Sequence, residues 1–182
     1  IAGANEKQFY NDVWVMNFYN PNQFDLVTAG GKKAKNIFSP RYSHQVVLHQ
    51  NGLYIMGGFT NEPVGQLLCD VWKMQDNGRS WKRLTAEAWD KKCRIEFGAI
   101  SYNNKMFVMG GYGGKSTLSN KIEMNDIYES QDGLKWQRVG NSTTSLSRWT
   151  RRSSFGVAVM DENVFVIGGY TDKPLPKYYN DI

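Results

Sequence analysis

An apolar strand running into two glycines occurs three times in this chain, as Leu53-Tyr-Ile-Met-Gly-Gly58, Met106-Phe-Val-Met-Gly-Gly111 and Val164-Phe-Val-Ile-Gly-Gly169. A second pattern follows each copy: Cys69-Asp-Val-Trp72, Asn125-Asp-Ile-Tyr128 and Asn180-Asp-Ile182. It also stands alone near the start, as Asn11-Asp-Val-Trp14. The glycine pairs lie 53 and 58 residues apart. Self-similarity at such a period calls for stacked supersecondary units, each burying its apolar face against the next. Both ends of the sequence fall inside the repeat. The expectation is a slice of a larger ring, completed by the same or another chain.

Within one unit the pattern is that of short strands. His44 to His49 reads as a strand, and Gln50-Asn-Gly52 supplies the strongest kind of hairpin turn. Leu53–Met56 is short and apolar, as a strand buried on both faces is. A polar loop leads to a third strand from Asp70 to Met74, a turn at Gln75-Asp-Asn-Gly78, and a fourth strand from Ser80 to Leu84. The second unit matches at 97–102, 106–109, 126–129 and 136–139. The third supplies 155–160 and 164–167. The N-terminal remnant supplies strands at 12–16 and 24–27. No stretch shows helical periodicity with caps. Four short strands per period, all β, is the signature of a propeller.

Gly-Gly after an apolar strand, then Asn-Asp-Val-Trp, then a Trp about ten residues on, resembles the kelch repeat across nearly the whole chain. The resemblance implies an all-β kelch-type β-propeller fragment of three four-stranded blades plus partial ones. Residues 1–28 would end one blade, 41–85 and 94–139 would be blades, and 152–182 would start another. Asp76-Asn-Gly78 with Trp81, and Asp132-Gly133 with Trp136, resemble the Asp-box turns of sialidase-like propellers. They are read as structural turns. Trp149-Thr-Arg-Arg152 is similar to the lead-in of kelch proteins that are often secreted or on cell surfaces, which implies an extracellular rather than a cytoplasmic setting. Departures from the pattern are Phe24 in place of a Trp, Trp89 five residues before Arg94, and Phe38 in the Trp position before Arg41.

With 182 residues, 41% hydrophobic and 14% aromatic, the chain can build a packed core. No apolar run approaches the ~18 residues of a membrane span. The sequence opens on Ile1 rather than Met, so an upstream segment is expected. Cys69 and Cys93 are neither a disulfide framework nor a zinc site. They read as buried thiols, with a single bridge as the alternative. His44 and His49 lie five apart on a strand, hence on opposite faces, and do not share a metal. No metal, cofactor or catalytic residue is assigned.

Arg41, Arg94 and Arg152 each stand 16 residues before the first glycine of their pair. By the resemblance they would ring one end of the channel. Guanidinium suits planar anion recognition. The alternative is a scaffold role, each Arg binding backbone carbonyls of the neighbouring blade. Repetition at one offset favours the scaffold, as it does for Asp12, Asp70, Asp126 and Asp181. Ser43, Glu96 and Ser154 follow the arginines by two residues and are candidate channel-mouth groups. Glu96 breaks the symmetry, and its bland reading is a salt bridge to an arginine.

The net charge of +5 is modest, but its distribution by face is uneven. In a four-stranded meander the fourth-to-first and second-to-third loops share a side. That side carries Lys32, Lys33 and Lys35, then Lys91 and Lys92, then Arg148, Arg151 and Arg152. Lys115, Lys121, Lys173 and Lys177 add to it. Phe38, Trp89 and Trp149 lie in the same loops, as exposed contacts or as plugs between blades. Asn141-Ser-Thr143 is a glycosylation sequon in one of them. The reading is a non-catalytic binding or assembly module whose basic loop face (Phe38, Arg41, Trp89, Lys91, Lys92, Arg94, Arg148, Trp149, Arg151, Arg152) meets an acidic protein surface or a glycan, nucleic acid being disfavoured. The competing reading is a solvated rim. The alternative function is a sialic-acid-related or other carbohydrate-active propeller enzyme using Arg41, Arg94, Arg152 and Glu96.

Overall fold

Asparagine-rich two-residue turns set the architecture. Gln50 and Asn51 have φ of 45° and 58°, and Asn103 and Asn104 have 44° and 59°. Both central residues of a tight hairpin turn must take positive φ, which Asn tolerates and bulkier residues do not. Each turn folds an apolar strand back on its predecessor, and the computed structural model shows the resulting meanders. It describes residues 1–6, 8–31, 36–114, 121–140, 149–172 and 174–182.

The first unit is a four-stranded antiparallel sheet of Gln45–His49, Gly52–Met56, Val71–Gln75 and Ser80–Thr85, paired in chain order. The second has Gly98–Tyr102, Lys105–Gly114, Ile122–Ser130 and Gln137–Arg138, with Cys93–Ile95 adding to the far end of its long second strand. Two units are therefore complete four-stranded sheets. The third contains its first two strands, Gly156–Met160 and Asn163–Ile167, and the N-terminal unit contains its last two, Val13–Asn17 and Asn20–Thr28. The first strands of successive units contact one another, so these strands converge on one side of an open arc. Among the described residues the only helical segments are two short 3-10 turns, Asp76–Gly78 and Trp89–Lys91.

The N-terminal unit also holds a glycine pair in disguise. Ala2 N–H donates to Asp12 O at 2.9 Å, as Gly57 does to Asp70 and Gly168 to Asp181, each at 3.0 Å. Ala2 takes φ of 53°, against 56° for Gly57 and 66° for Gly168. An alanine bears this left-handed conformation at a steric cost that glycine escapes. The substitution hid the fourth copy from pattern reading.

The core lies between the sheets. Phe38 is fully buried and meets Trp81 edge-on, with ring centroids 5.0 Å apart. Trp89, 1% exposed, meets Trp136 at 5.6 Å and Phe97 at 5.8 Å. Trp149 meets Phe155 at 5.0 Å. Each of these equivalent aromatics packs on rings of the unit it leads into, and the clusters of Phe38 with Val13 and of Trp89 with Val47 and Met56 reach the unit before. Placing Phe38 and Trp89 on an exposed binding face is corrected by their burial: a large apolar ring gains most by leaving water. Gly110 makes room for this packing, since a Cβ there would collide with the Trp149 ring.

The two Asp–Trp turns are held by different bonds. The Asp132 carboxylate accepts the backbone N–H groups of Leu134 and Lys135 at 2.8 and 3.0 Å, and the Trp136 indole donates to Gly133 O at 3.1 Å. Asp76 differs: its carboxylate takes the Ser80 hydroxyl at 2.6 Å. Trp81 is 2% exposed whereas Trp136 is only half-buried. Truncating Trp81 to Ala should therefore cost ~3–5 kcal/mol, and Trp136→Ala clearly less. Urea unfolding of the two variants checks the order.

Candidate functional site

Each lead-in arginine is the hub of a buried clasp. Arg41 donates from Nη1 to Gly57 O at 2.9 Å and to Asp70 Oδ1 at 2.7 Å, and from Nη2 to Asp70 Oδ2 at 2.9 Å. Arg152 repeats the geometry on Gly168 O at 2.8 Å and on both oxygens of Asp181. Arg94 donates from Nη1 to Gly110 O and Asp126 Oδ1, both at 3.0 Å, and Lys92 takes Asp126 Oδ2 at 3.3 Å. All three guanidiniums are buried. The Arg94 guanidinium also lies 5.3 Å from the Trp89 ring centroid and 5.5 Å from that of Tyr128, so π faces supply part of what water would.

The main chain of the same residues points the other way. Arg94 N–H donates to Leu68 O at 3.3 Å, and its carbonyl accepts from Gly58 at 3.0 Å. Arg152 makes the same pair with Met124 and Gly111, and Arg41 with Tyr10 and Gly3. The side chain closes its own unit and the backbone joins the unit before it. This corrects the expectation that the guanidiniums bind carbonyls of the neighbouring blade. It also removes Arg41, Arg94 and Arg152 from any open anion pocket.

The channel-mouth residues share a conformation: Ser43, Glu96 and Ser154 have φ of 51°, 53° and 54°. Among the described residues Glu96 pairs with no arginine. It accepts the Ser154 hydroxyl of the next unit at 2.8 Å, and Ser154 N–H donates to Glu96 O at 2.9 Å. The cysteines are joined in a disulfide, with Cα atoms 4.2 Å apart, which corrects the reading as free thiols. Ala88 N–H donates to Cys69 O at 3.0 Å, and the Arg94–Leu68 bond brings the two backbones together. The bridge staples the first unit to the second directly beside both clasps. That proximity is tertiary and leaves no trace in the spacing of two lone cysteines.

The basic face is largely neutralised where it is described. Lys91 pairs with Glu87 at 3.0 Å and Lys92 with Asp126 at 3.3 Å, while Arg151 is exposed. Lys32, Lys33, Lys35, Lys115, Asn141, Arg148 and Lys173 lie outside the described residues. On the same side, a cleft of about 810 Å³ opens between the first and second units. Leu67, Leu68, Ile122 and Met124 supply apolar walls, the disulfide part of its lining, and Arg83 a charge. Pattern reading had Lys91 and Lys92 on this face but did not show the cleft, because its walls come together only when loops of two units fold side by side. Among the described residues no group of three or more His, Cys, Asp or Glu could hold a metal ion, and no helix is long and apolar enough to cross a membrane.

Two histidines complete the electrostatics. His49 is buried and bridges to Ser101 Oγ at 2.9 Å and Gln131 O at 3.0 Å in the second unit. His44 is pushed down from 6.5 to about 4, first by burial, then by the charge of Arg41. The Asp126 carboxyl is held low: burial alone would raise it, but the Arg94 charge and hydrogen bond, with Lys92, outweigh burial.

An arc of four-stranded antiparallel sheets, wedged by aromatics and pinned by repeated Arg–Asp clasps, is a β-propeller segment. Residues 1–182 match the KLHDC2/KLHL20/DRC7 Kelch-repeats domain over their whole length. The chain belongs to the Kelch-repeat family, whose domains are protein-interaction modules. It is 28% identical over 137 residues to the dynein alpha chain of the flagellar outer arm of Chlamydomonas reinhardtii, covering 73% of this chain and 3% of that protein. It is 25% identical over 169 residues to human Kelch-like protein 15, covering 84% and 26%. Against Kelch-like protein 40 of Xenopus laevis it is 30% identical over 147 residues, covering 78% and 21%. The chain thus spans about a quarter or less of these curated relatives.

Two outcomes follow from the site chemistry. Arg94→Ala leaves the buried Asp126 with Lys92 alone and should cost about 3 kcal/mol, with Arg94→Lys intermediate; thermal melts of both variants measure it. His44 contributes through its depressed folded value. Stability is full above pH 6.5, where the residue is neutral in both states, and falls by about 3 kcal/mol as pH drops to about 4, because only the unfolded chain takes the proton. His44→Gln should flatten denaturant midpoints across that window.

Proposed function

We propose that this chain is a non-catalytic protein-binding module that engages its partner on the loop face, centred on the cleft between the first two complete sheets. The observation that carries the reading is where the repeated arginines go. All three are spent inside the fold on their own aspartates and glycine carbonyls. What the face offers instead is a cleft with apolar walls and a charged rim. Such a surface suits side chains of a protein, which can fill apolar space and meet Arg83, Glu87 and Asp90 at the edge. It suits a glycan less, since sugars need dense polar contacts. The same internal pairing argues against the carbohydrate-active enzyme, whose anion pocket would need those guanidiniums.

The test is site-specific photo-crosslinking in cells that make the protein. A photoreactive residue at Ile122 or Ala86, on the loop face, should give discrete protein adducts. One at Glu162, on the opposite turns, should give none. Adducts concentrated at Glu162, or sugar turnover by the purified chain, would overturn the reading.

A further inference from the structure

Beside the cleft, at the inner mouth of the arc, aromatic rings from successive units line up. Phe9 of the N-terminal unit packs on Tyr42 at 5.0 Å and on Phe59 at 6.0 Å, and Tyr42 lies 5.5 Å from Phe59. Phe59, Tyr112 and Tyr170 are equivalent: each directly follows its glycine pair. Four of these rings, those of Phe9, Tyr42, Phe59 and Tyr112, are half-buried, so part of each stays open to solvent. Phe59 and Tyr112 back onto the same small core as the disulfide, with Leu67 and Ile95. This core is shared with the cleft wall.

Two further facts give the row a chemical preference. The ammonium of Lys121 sits between the units, 5.8 Å from the Phe59 ring centroid and 5.7 Å from that of Tyr112. The ring pair therefore already accommodates a cation. Around Tyr112 gather three carboxylates. Burial first, then Glu123, Asp172 and Glu96, push the Tyr112 phenol up. Glu123 is buried and accepts the Asp172 N–H at 2.8 Å, while Tyr170 donates its hydroxyl to Asp172 at 3.1 Å. With the lead-in arginines neutralised inside the clasps, the described residues of this mouth present π faces and carboxylates beside the Lys121 ammonium.

We propose that the inner mouth receives a basic segment of the partner protein, an Arg or Lys side chain entering between Phe59 and Tyr112 toward Glu96 and Asp172, with Lys121 as the internal stand-in that it displaces. This rests on the protein-binding reading above and names the chemistry of one contact within it. A guanidinium is the better occupant, because it stacks flat on a ring while donating to carboxylates at its edge. The basic character lies opposite to that expected from net charge alone.

The probe is a labelled hexa-arginine peptide, titrated against the 182-residue chain tethered at low density so that open sheet edges do not associate. Hexa-glutamate and a neutral peptide are the comparisons. Hexa-arginine should bind and hexa-glutamate should not. Lys121→Ala removes the internal competitor and should tighten binding about 2–5-fold, the scale of one cation–π contact. Glu96→Gln with Asp172→Asn should weaken it by a similar factor or more. Glu162→Gln, on the opposite turns, should leave it unchanged. The proposal fails if Lys121→Ala weakens or does not alter binding, or if Glu162→Gln matches the mouth variants, which would mark diffuse electrostatic adsorption. Crosslinks at Ile122 that persist while hexa-arginine neither binds nor competes would leave the module standing and overturn the basic contact alone. Absence of those crosslinks overturns the module itself.

Discussion

The architecture depends on one arginine per unit. Its guanidinium ties the lead-in of its own sheet to the aspartate before the third strand and to a glycine carbonyl after the second. Its backbone N–H and C=O belong to the sheet before. A buried charge is tolerated only when paired and hydrogen-bonded, and around Arg41 and Arg152 one carboxylate and one carbonyl take most of the fork. Remove the arginine and two kinds of contact loosen together, since one residue carries both the closure of a unit and its junction to the neighbour. The aromatic wedges depend on the same residue: Phe38, Trp89 and Trp149 each lie within 6 Å of their own guanidinium.

The second unit departs most from the repeat, and functional features gather there. Its Asp126 shares its oxygens between Arg94 and Lys92 instead of gripping one fork. Its lead-in carries the disulfide to the first unit. Its mouth residue is Glu96 where the others have serine, and its Tyr112 is the ring nearest the gathered carboxylates. The scaffold needs only the repeated contacts, so the positions that break repetition are free to serve recognition. The cleft and the aromatic mouth both lie at this junction, where one unit ends and the next begins.

Strand positions and turns were legible because they follow from local rules. Alternation, Asn-Gly turns and glycine pairs fix the hairpins within a residue or two, and the meander order follows from short connections. The aspartates and arginines were legible as a periodic set, but not as partners. Arg41 and Asp70 are 29 residues apart, and no spacing rule links a lead-in to a distant strand start. Ala2 escaped notice because pattern reading sees a side chain, whereas the backbone sees only a left-handed φ that alanine can be held in by the Asp12 and Arg41 bonds on either side.

The sequence by itself determined the repeat, the all-β class and the Kelch kinship, since each is written in local composition and period. Tertiary structure alone decided which charges are spent and which are offered. A lysine or arginine carries the same formal charge in any loop, but its worth to a partner depends on whether a carboxylate lies within 3 Å or so and on how much water remains around it. Folding pairs the lead-in arginines internally, turns Phe38 and Trp89 inward, joins Cys69 to Cys93, and leaves rings and carboxylates at the mouth. The charge that a loop face offers is therefore a property of packing, which no count of charges along the chain can supply.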